Sequence, residues 1–103
     1  MNTAAHYGAV ADAATLRIWR NGDHVKLTRN EFMVASALIT AGPKGMLQDD
    51  LCQVVWPGAV KSEKKMEFRM QTVVGRLRDA LAIVGLGITR PKTGPVRIFE
   101  VQS

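Results

Sequence analysis

The sequence predicts one α+β domain in which a β-hairpin, two short helices, one long helix and a second β-hairpin follow in that order. Three observations carry this order. An Asn21-Gly22 dipeptide separates two half-apolar runs, a capping box at Thr28 to Glu31 opens the first of three amphipathic stretches, and a C-terminal alternating segment is broken by Thr93-Gly94-Pro95.

Met1 to about Ala14 is rich in alanine and has no period of its own, so residues 1–14 read as a loose tail before the domain proper at 15–101. Leu16-Arg17-Ile18-Trp19-Arg20 and Asp23-His24-Val25-Lys26-Leu27 flank Asn21-Gly22. Both central residues of a type I′ turn need positive φ, which Asn and Gly tolerate, and this makes the pair a strong hairpin signal. A two-stranded hairpin rarely stands alone, so its apolar face must pack on elements later in the chain.

In Thr28-Arg29-Asn30-Glu31 the threonine oxygen can accept from a first-turn amide while Glu31 reaches back. Phe32, Ala35, Leu38 and Ile39 then recur at helical spacing, and Gly42-Pro43 closes the helix. A second helix is expected from about Leu47 to Trp56, with Asp49 and Asp50 in the first turn, where the helix dipole favours acids. Its apolar positions are Leu51, Cys52, Val55 and Trp56, and Pro57-Gly58 ends it.

The third helix is the longest, with Ser62 as its N-cap and Glu63 in its first turn. Met66, Met70, Val73, Leu77, Leu81 and Val84 form one buried stripe, and Gly85 and Gly87 stop it. Ile88 to Val101 alternates about Thr93-Gly94-Pro95 as a second hairpin, with Val96, Ile98 and Val101 in the return strand. Three helices followed by a β-hairpin wing is the layout of a winged helix-turn-helix.

Composition narrows the function classes. A hydrophobic fraction of 47% against 22% charged residues suits a packed domain. No apolar run approaches the ~18 residues of a membrane span, and the N-terminus lacks the basic lead and apolar stretch of a secretory signal. Cys52 is the sole cysteine, which rules out an intramolecular disulfide and makes the cytoplasm the expected compartment. His6 and His24 have no partners at metal-ligand spacing, so neither a metal nor a cofactor is expected. No carboxylate pair, nucleophile–base arrangement or Gly-rich phosphate loop supports an enzyme; Asp49-Asp50 is accounted for as a helix first turn.

The net charge is +5, and its distribution matters more than its sum. From Val60 to Arg97 nine basic residues face three acids, an excess of +6, while the remainder has five basic and six acidic residues. A polyanion would therefore meet the C-terminal part first. On the third helix Lys65, Arg69, Thr72 and Arg76 share a face about a quarter-turn from the buried stripe. Such a face suits the DNA major groove, with cations for phosphates or guanine edges and a threonine for a hydrogen bond or a thymine methyl; a merely solvated face is the competing reading. Gly75 lies beside it, and a mid-helix glycine costs about 1 kcal/mol relative to alanine, for which close approach to a DNA backbone is one reason. The second hairpin adds Arg90, Lys92 and Arg97, placed for an adjacent minor groove or phosphate.

These motifs resemble a known family. Leu27-Thr28-x-x-Glu31-Phe32, Leu51 through Val55-Trp56, Val74-Gly75-Arg76-Leu77-Arg78-Asp79-Ala80-Leu81 and Ile88-Thr89-Arg90-Pro91-Lys92 are similar, in order, to signature segments of the OmpR/PhoB-type response-regulator effector domain. The resemblance spans Leu16 to about Phe99. It implies a winged helix with an N-terminal β-element, Arg76 on the DNA backbone or a base, and Lys92 in the wing. Three departures stand out: Thr93-Gly94-Pro95-Val96 replaces the family's G-x-G-Y wing, Leu47 stands where a serine often caps the second helix, and the family's four-stranded N-terminal sheet reduces to one recognisable hairpin. No phosphoacceptor receiver domain accompanies the motifs, so the chain reads as a stand-alone regulator, favoured by Met1, or as a trimmed effector domain. Control by phosphorylation of this chain in the family's manner is not supported.

The expected partner is double-stranded DNA, bound by a homodimer on paired half-sites, with a contact to RNA polymerase as a further expectation and no membrane. The alternative is a winged-helix module that docks on RNA polymerase or another regulator with little DNA binding. Trp19, Trp56 and Phe68 are the aromatic candidates for that surface. Trp56 matches a buried family position. Phe68 falls nearly opposite the buried stripe, either covered by the loop from Pro57 to Lys61 or exposed as a contact.

Overall fold

The chain is seen in a computed structural model that describes residues 2–4, 6–58, 64–91 and 93–101. Four strands, β1 (Asn2–Ala4), β2 (Val10–Asp12), β3 (Arg17–Arg20) and β4 (Asp23–Lys26), form an antiparallel meander in chain order. Helices α1 (Arg29–Ala41), α2 (Gln48–Val55) and α3 (Lys64–Leu81) come next, and β5 (Leu86–Thr89) pairs with β6 (Arg97–Glu100) as a separate hairpin. This is the α+β winged-helix architecture expected from the sequence.

The N-terminal segment departs from expectation. Residues 2–4 and 10–12 are strands, not a loose tail, and they enlarge the β3–β4 hairpin to a four-stranded sheet. The apolar residues that anchor this part are Ala9 and Ala11, both buried. Alanine contributes little periodic hydrophobic signal, and the alternation is legible only once β3 lies beside β2. His6 adds a tie, its Nδ1 donating to the Ile39 carbonyl at 2.7 Å. The β3–β4 turn has the positive φ values expected of it, 53° at Asn21 and 83° at Gly22. Behind the turn Trp19 faces its cross-strand partner His24 with ring centroids 4.5 Å apart.

Thr28 and Glu31 make both hydrogen bonds of the capping box on α1. Helix α1 packs on α2 and α3, and α3 on β5. Phe32, Leu38, Leu51, Met70, Val74, Leu77 and Leu81 meet in the common core. Cys52 is buried there, and burial followed by the nearby Asp49 carboxylate pushes its thiol pKa up, so the reactive thiolate is disfavoured. At α2 the sequence reading runs one residue too long at each end: Leu47 is the N-cap, without a side-chain cap bond, and Trp56 the C-cap. Ser62 and Glu63 lie outside the described residues. The stop of α3 is a 3₁₀ turn, Ala82–Val84, closed by Gly85 at φ 74°. Gly87 is not part of that stop. It is buried in β5, where the Phe99 ring lies so close that an added Cβ would fall 2.5 Å from Cζ.

Two junctions join the layers. Arg20 donates from Nε to the Tyr7 carbonyl (2.8 Å), from Nη1 to the Val84 carbonyl (2.8 Å) and from Nη2 to the Glu100 carboxylate (2.6 Å). It thereby ties the N-terminal sheet to the end of the long helix and to β6. At the wing base Met46 and Val96 exchange two backbone hydrogen bonds of 2.8 Å. This bridge requires Gly45, whose φ of 70° and ψ of −165° suit glycine alone and whose missing side chain leaves room for the Val96 carbonyl.

Gly45→Ala is expected to lower stability by at least about 2 kcal/mol, read as a lower urea midpoint at unchanged m-value. Arg20→Ala should cost about 2–4 kcal/mol, since it removes charge-assisted bonds and leaves two enclosed carbonyls unpaired. Glu100→Gln should cost about 1 kcal/mol or less, because the Glu100 side chain is 55% exposed whereas that of Arg20 is 10% exposed.

Candidate nucleic-acid interface

At 100° per residue the buried positions of α3 (Met70, Val74, Leu77 and Leu81) cluster on one side of the helix. Directly opposite lies a line of Phe68, Thr72, Gly75 and Asp79. Phe68 is 69% exposed, and the loop that the sequence offered as its cover lies, from residue 59 on, outside the described residues. Arg69 and Arg76 flank the line on one side, Gln71 and Arg78 on the other, and all four are exposed. Arg69, Arg76 and Arg78 have no ion-pair partner among the described residues. Cations without a partner, set along both edges of an exposed helix, attract a polyanion without first having to break internal pairs.

The expected stripe is thus present at Arg69, Thr72 and Arg76, but it forms one edge of a broader face. Arg78 belongs to the opposite edge and was missed, although its helical position alone was enough to place it there. The Lys65 side chain and the whole of Lys92 lie outside the described residues. Thr72 donates its hydroxyl hydrogen to the Phe68 carbonyl at 3.1 Å. What it offers outward is its methyl and an oxygen lone pair. Gly75 has nothing within 4 Å of an added Cβ, so no packing constraint within the described fold calls for a glycine there.

Two hollows border the face. On the Arg69 side, Asn30 of α1, Trp56 at the end of α2, and Phe68, Arg69, Thr72 and Val73 line a shallow recess of about 380 Å³. Trp56 is half-buried, packed against the core yet still lining this recess, and so is less enclosed than the sequence implied. On the wing side, Gln48, Asp49, Glu67, Gln71, Arg90 and Pro91 help line a second cleft of about 630 Å³. Here Arg90 donates from Nε to the Gln48 side-chain oxygen at 2.9 Å. Arg90 therefore joins the wing to α2, a structural task that sequence reasoning did not foresee. Arg97 is exposed on β6, beside Gly45 at the wing base.

No family model matches the chain, and no curated protein matches its sequence. Solved structures do resemble it. The DNA-binding domain of the response regulator AdeR, in complex with an intercistronic region, superposes with a TM-score of 0.72 at 16% identity, over 95% of this chain and 99% of that one. The Klebsiella pneumoniae RstA DNA-binding domain, in complex with the RstA box, gives 0.68 at 16% identity, over 93% and 94%. A streptococcal redox sensor, of a family evolved from two-component response regulators, gives 0.70 at 18% identity, over 97% of this chain and 43% of that one. At such identities the likeness is one of fold, and the fold is the winged helix of OmpR/PhoB-type response-regulator DNA-binding domains.

Proposed function

We propose that this domain binds double-stranded DNA as a transcriptional regulator, with α3 in the major groove and the wing on adjacent backbone or minor groove. The observation that carries the reading is the exposed outer face of α3, edged by Arg69, Arg76 and Arg78 without partners among the described residues. AdeR and RstA, which share the fold, were both solved on DNA. In this arrangement Arg69 and Arg76 supply most of the attraction, Lys65 and Thr72 support them, and Lys92 and Arg97 act from the wing. Arg90 contributes chiefly through its bond to Gln48. A single module of this kind typically buries ~600–1,000 Å² on DNA and is weakly specific alone, so binding as a homodimer on paired half-sites is part of the proposal.

One observation favours a second reading, docking on a protein such as RNA polymerase or another regulator. A mostly apolar groove of about 870 Å³ runs between α1 and α2, lined by Met33, Ala37, Met46, Leu47 and Val54 among others. Leu47 at its rim is 53% exposed.

Anisotropy of a labelled mixed-sequence duplex at two salt concentrations separates the readings. The wild type should bind at low salt and weaken steeply as salt rises. Arg69→Ala/Arg76→Ala should bind about tenfold or more weakly, with a log–log salt slope shallower by about 2, since each lost phosphate contact removes roughly 0.9. A folded wild type that binds no DNA at low salt refutes the proposal and leaves the α1–α2 groove as the functional surface.

A further inference from the structure

The middle of the outer face of α3 is not basic. Phe68, Thr72 and Gly75 run along it, with the arginines displaced to either side. None of the three offers a free hydrogen-bond donor from its side chain: Phe68 has none, Thr72 donates to the Phe68 carbonyl, and Gly75 has no side chain. An exposed phenylalanine in the centre of a helix surface otherwise edged by cations loses free energy in water unless something apolar covers it. The cations on both edges specify a polyanion as that cover, not the apolar surface of a protein. In the major groove, the apolar group on a base edge is the C5-methyl of thymine, and a phenyl ring and a threonine methyl are both suited to meet it. The bare surface at Gly75 allows the helix to seat closely enough for short side chains to reach the bases. Asp79 ends the line, and its carboxylate repels phosphate, so the contacting segment is the N-terminal part of α3.

We infer that Phe68 is a specificity-determining residue that reads thymine methyl groups in the major groove, with Thr72 beside it, while the flanking arginines hold the phosphates. This rests on the DNA-binding reading above and goes beyond it by assigning the base chemistry. It divides the labour on one helix: Arg69 and Arg76 set affinity and salt dependence, and Phe68 sets sequence preference.

The test begins with duplexes selected by the protein from a randomised pool. Each thymine of the selected site is then replaced by deoxyuridine, which removes only the methyl. For wild type, one or two such replacements should weaken binding roughly three- to fivefold each, the effect of uncovering one methyl group. Phe68→Ser, at a position exposed enough to leave folding intact, should bind thymine and uracil versions equally at those positions while keeping the wild-type salt slope. Phe68→Leu should restore part of the discrimination. The inference is overturned if Phe68→Ser retains the wild-type thymine-to-uracil ratio, or if the selected sites carry no thymine whose methyl matters. Absence of any salt-sensitive DNA binding by the wild type overturns the parent reading as well. That outcome is distinct, because in the first two cases the arginine-dependent binding persists.

Discussion

The Arg20 guanidinium is the point on which the two halves of the fold depend. It sits at the end of β3, yet its three hydrogen bonds reach the Tyr7 carbonyl, the Val84 carbonyl and Glu100, which lies 80 residues further along the chain. The last turn of a helix leaves carbonyls without intrahelical partners, and Val84 in the 3₁₀ turn after α3 presents one of them. A cation there also complements the negative end of the helix dipole. One side chain thus fixes where α3 ends against the sheet and where β6 returns. The orientation of the outer face of α3 relative to the wing is set by that anchor and by the packing of Met70, Leu77 and Leu81 beneath it.

Helix α3 has to satisfy two environments at once. Its inner side supplies large, fully buried residues, and its outer side exposes charge and one aromatic ring. Phe68 is the position at which these demands are least reconciled. Burial would have given that ring a stabilising role in the core, but its angular position, opposite Leu77, denies it any contact there. Val73, by contrast, lies at the border between inside and outside and packs partly against the core. The exposure of Phe68 is therefore a consequence of helix periodicity, and it marks one of the places where the folded chain leaves a large apolar side chain uncovered.

Much of the fold was legible in the sequence because it is written in local chemistry. The Asn21-Gly22 turn, the Thr28–Glu31 capping box, the 3- and 4-residue spacing of α3 and the turn at Gly94 each announce themselves within a few residues. What was not legible depends on partners distant in sequence. Residues 2–4 and 10–12 become strands only by pairing, and small buried alanines give no period to find. Nothing local in the sequence distinguishes Arg20 from any other strand-end cation. Gly87 looked like a helix stop, because a glycine two residues after Gly85 reads the same whether it ends a helix or yields space to Phe99. The site was legible in the same partial way. Helical spacing placed Arg69, Thr72 and Arg76 on the outer surface, whereas the engagement of Arg90 with Gln48 depends on two residues 42 apart in sequence.

The wing is held at its base by Met46 and Val96 and at its side by Arg90 and Gln48, and both ties lead to the start of α2. The wing is thereby held against α2 as well as against α3, on which β5 packs. The cleft they enclose contains Asp49 and Glu67, so its electrostatic character is mixed, with Arg90 offsetting part of the negative charge. The opposite border of α3, by Trp56 and Asn30, has Arg69 and, among the described residues, no acid in its lining. For any polyanion laid along α3 the two borders are thus unequal. Arg69 and Arg76 border the Trp56 side, whereas on the wing side the cations Arg78 and Arg90 stand beside Asp49 and Glu67. The phosphate backbone of a duplex has dyad symmetry, so this asymmetry does not select between its two directions; it sets where the helix sits across the groove, closer to the strand beside Arg69 and Arg76, and leaves direction to contacts with base edges.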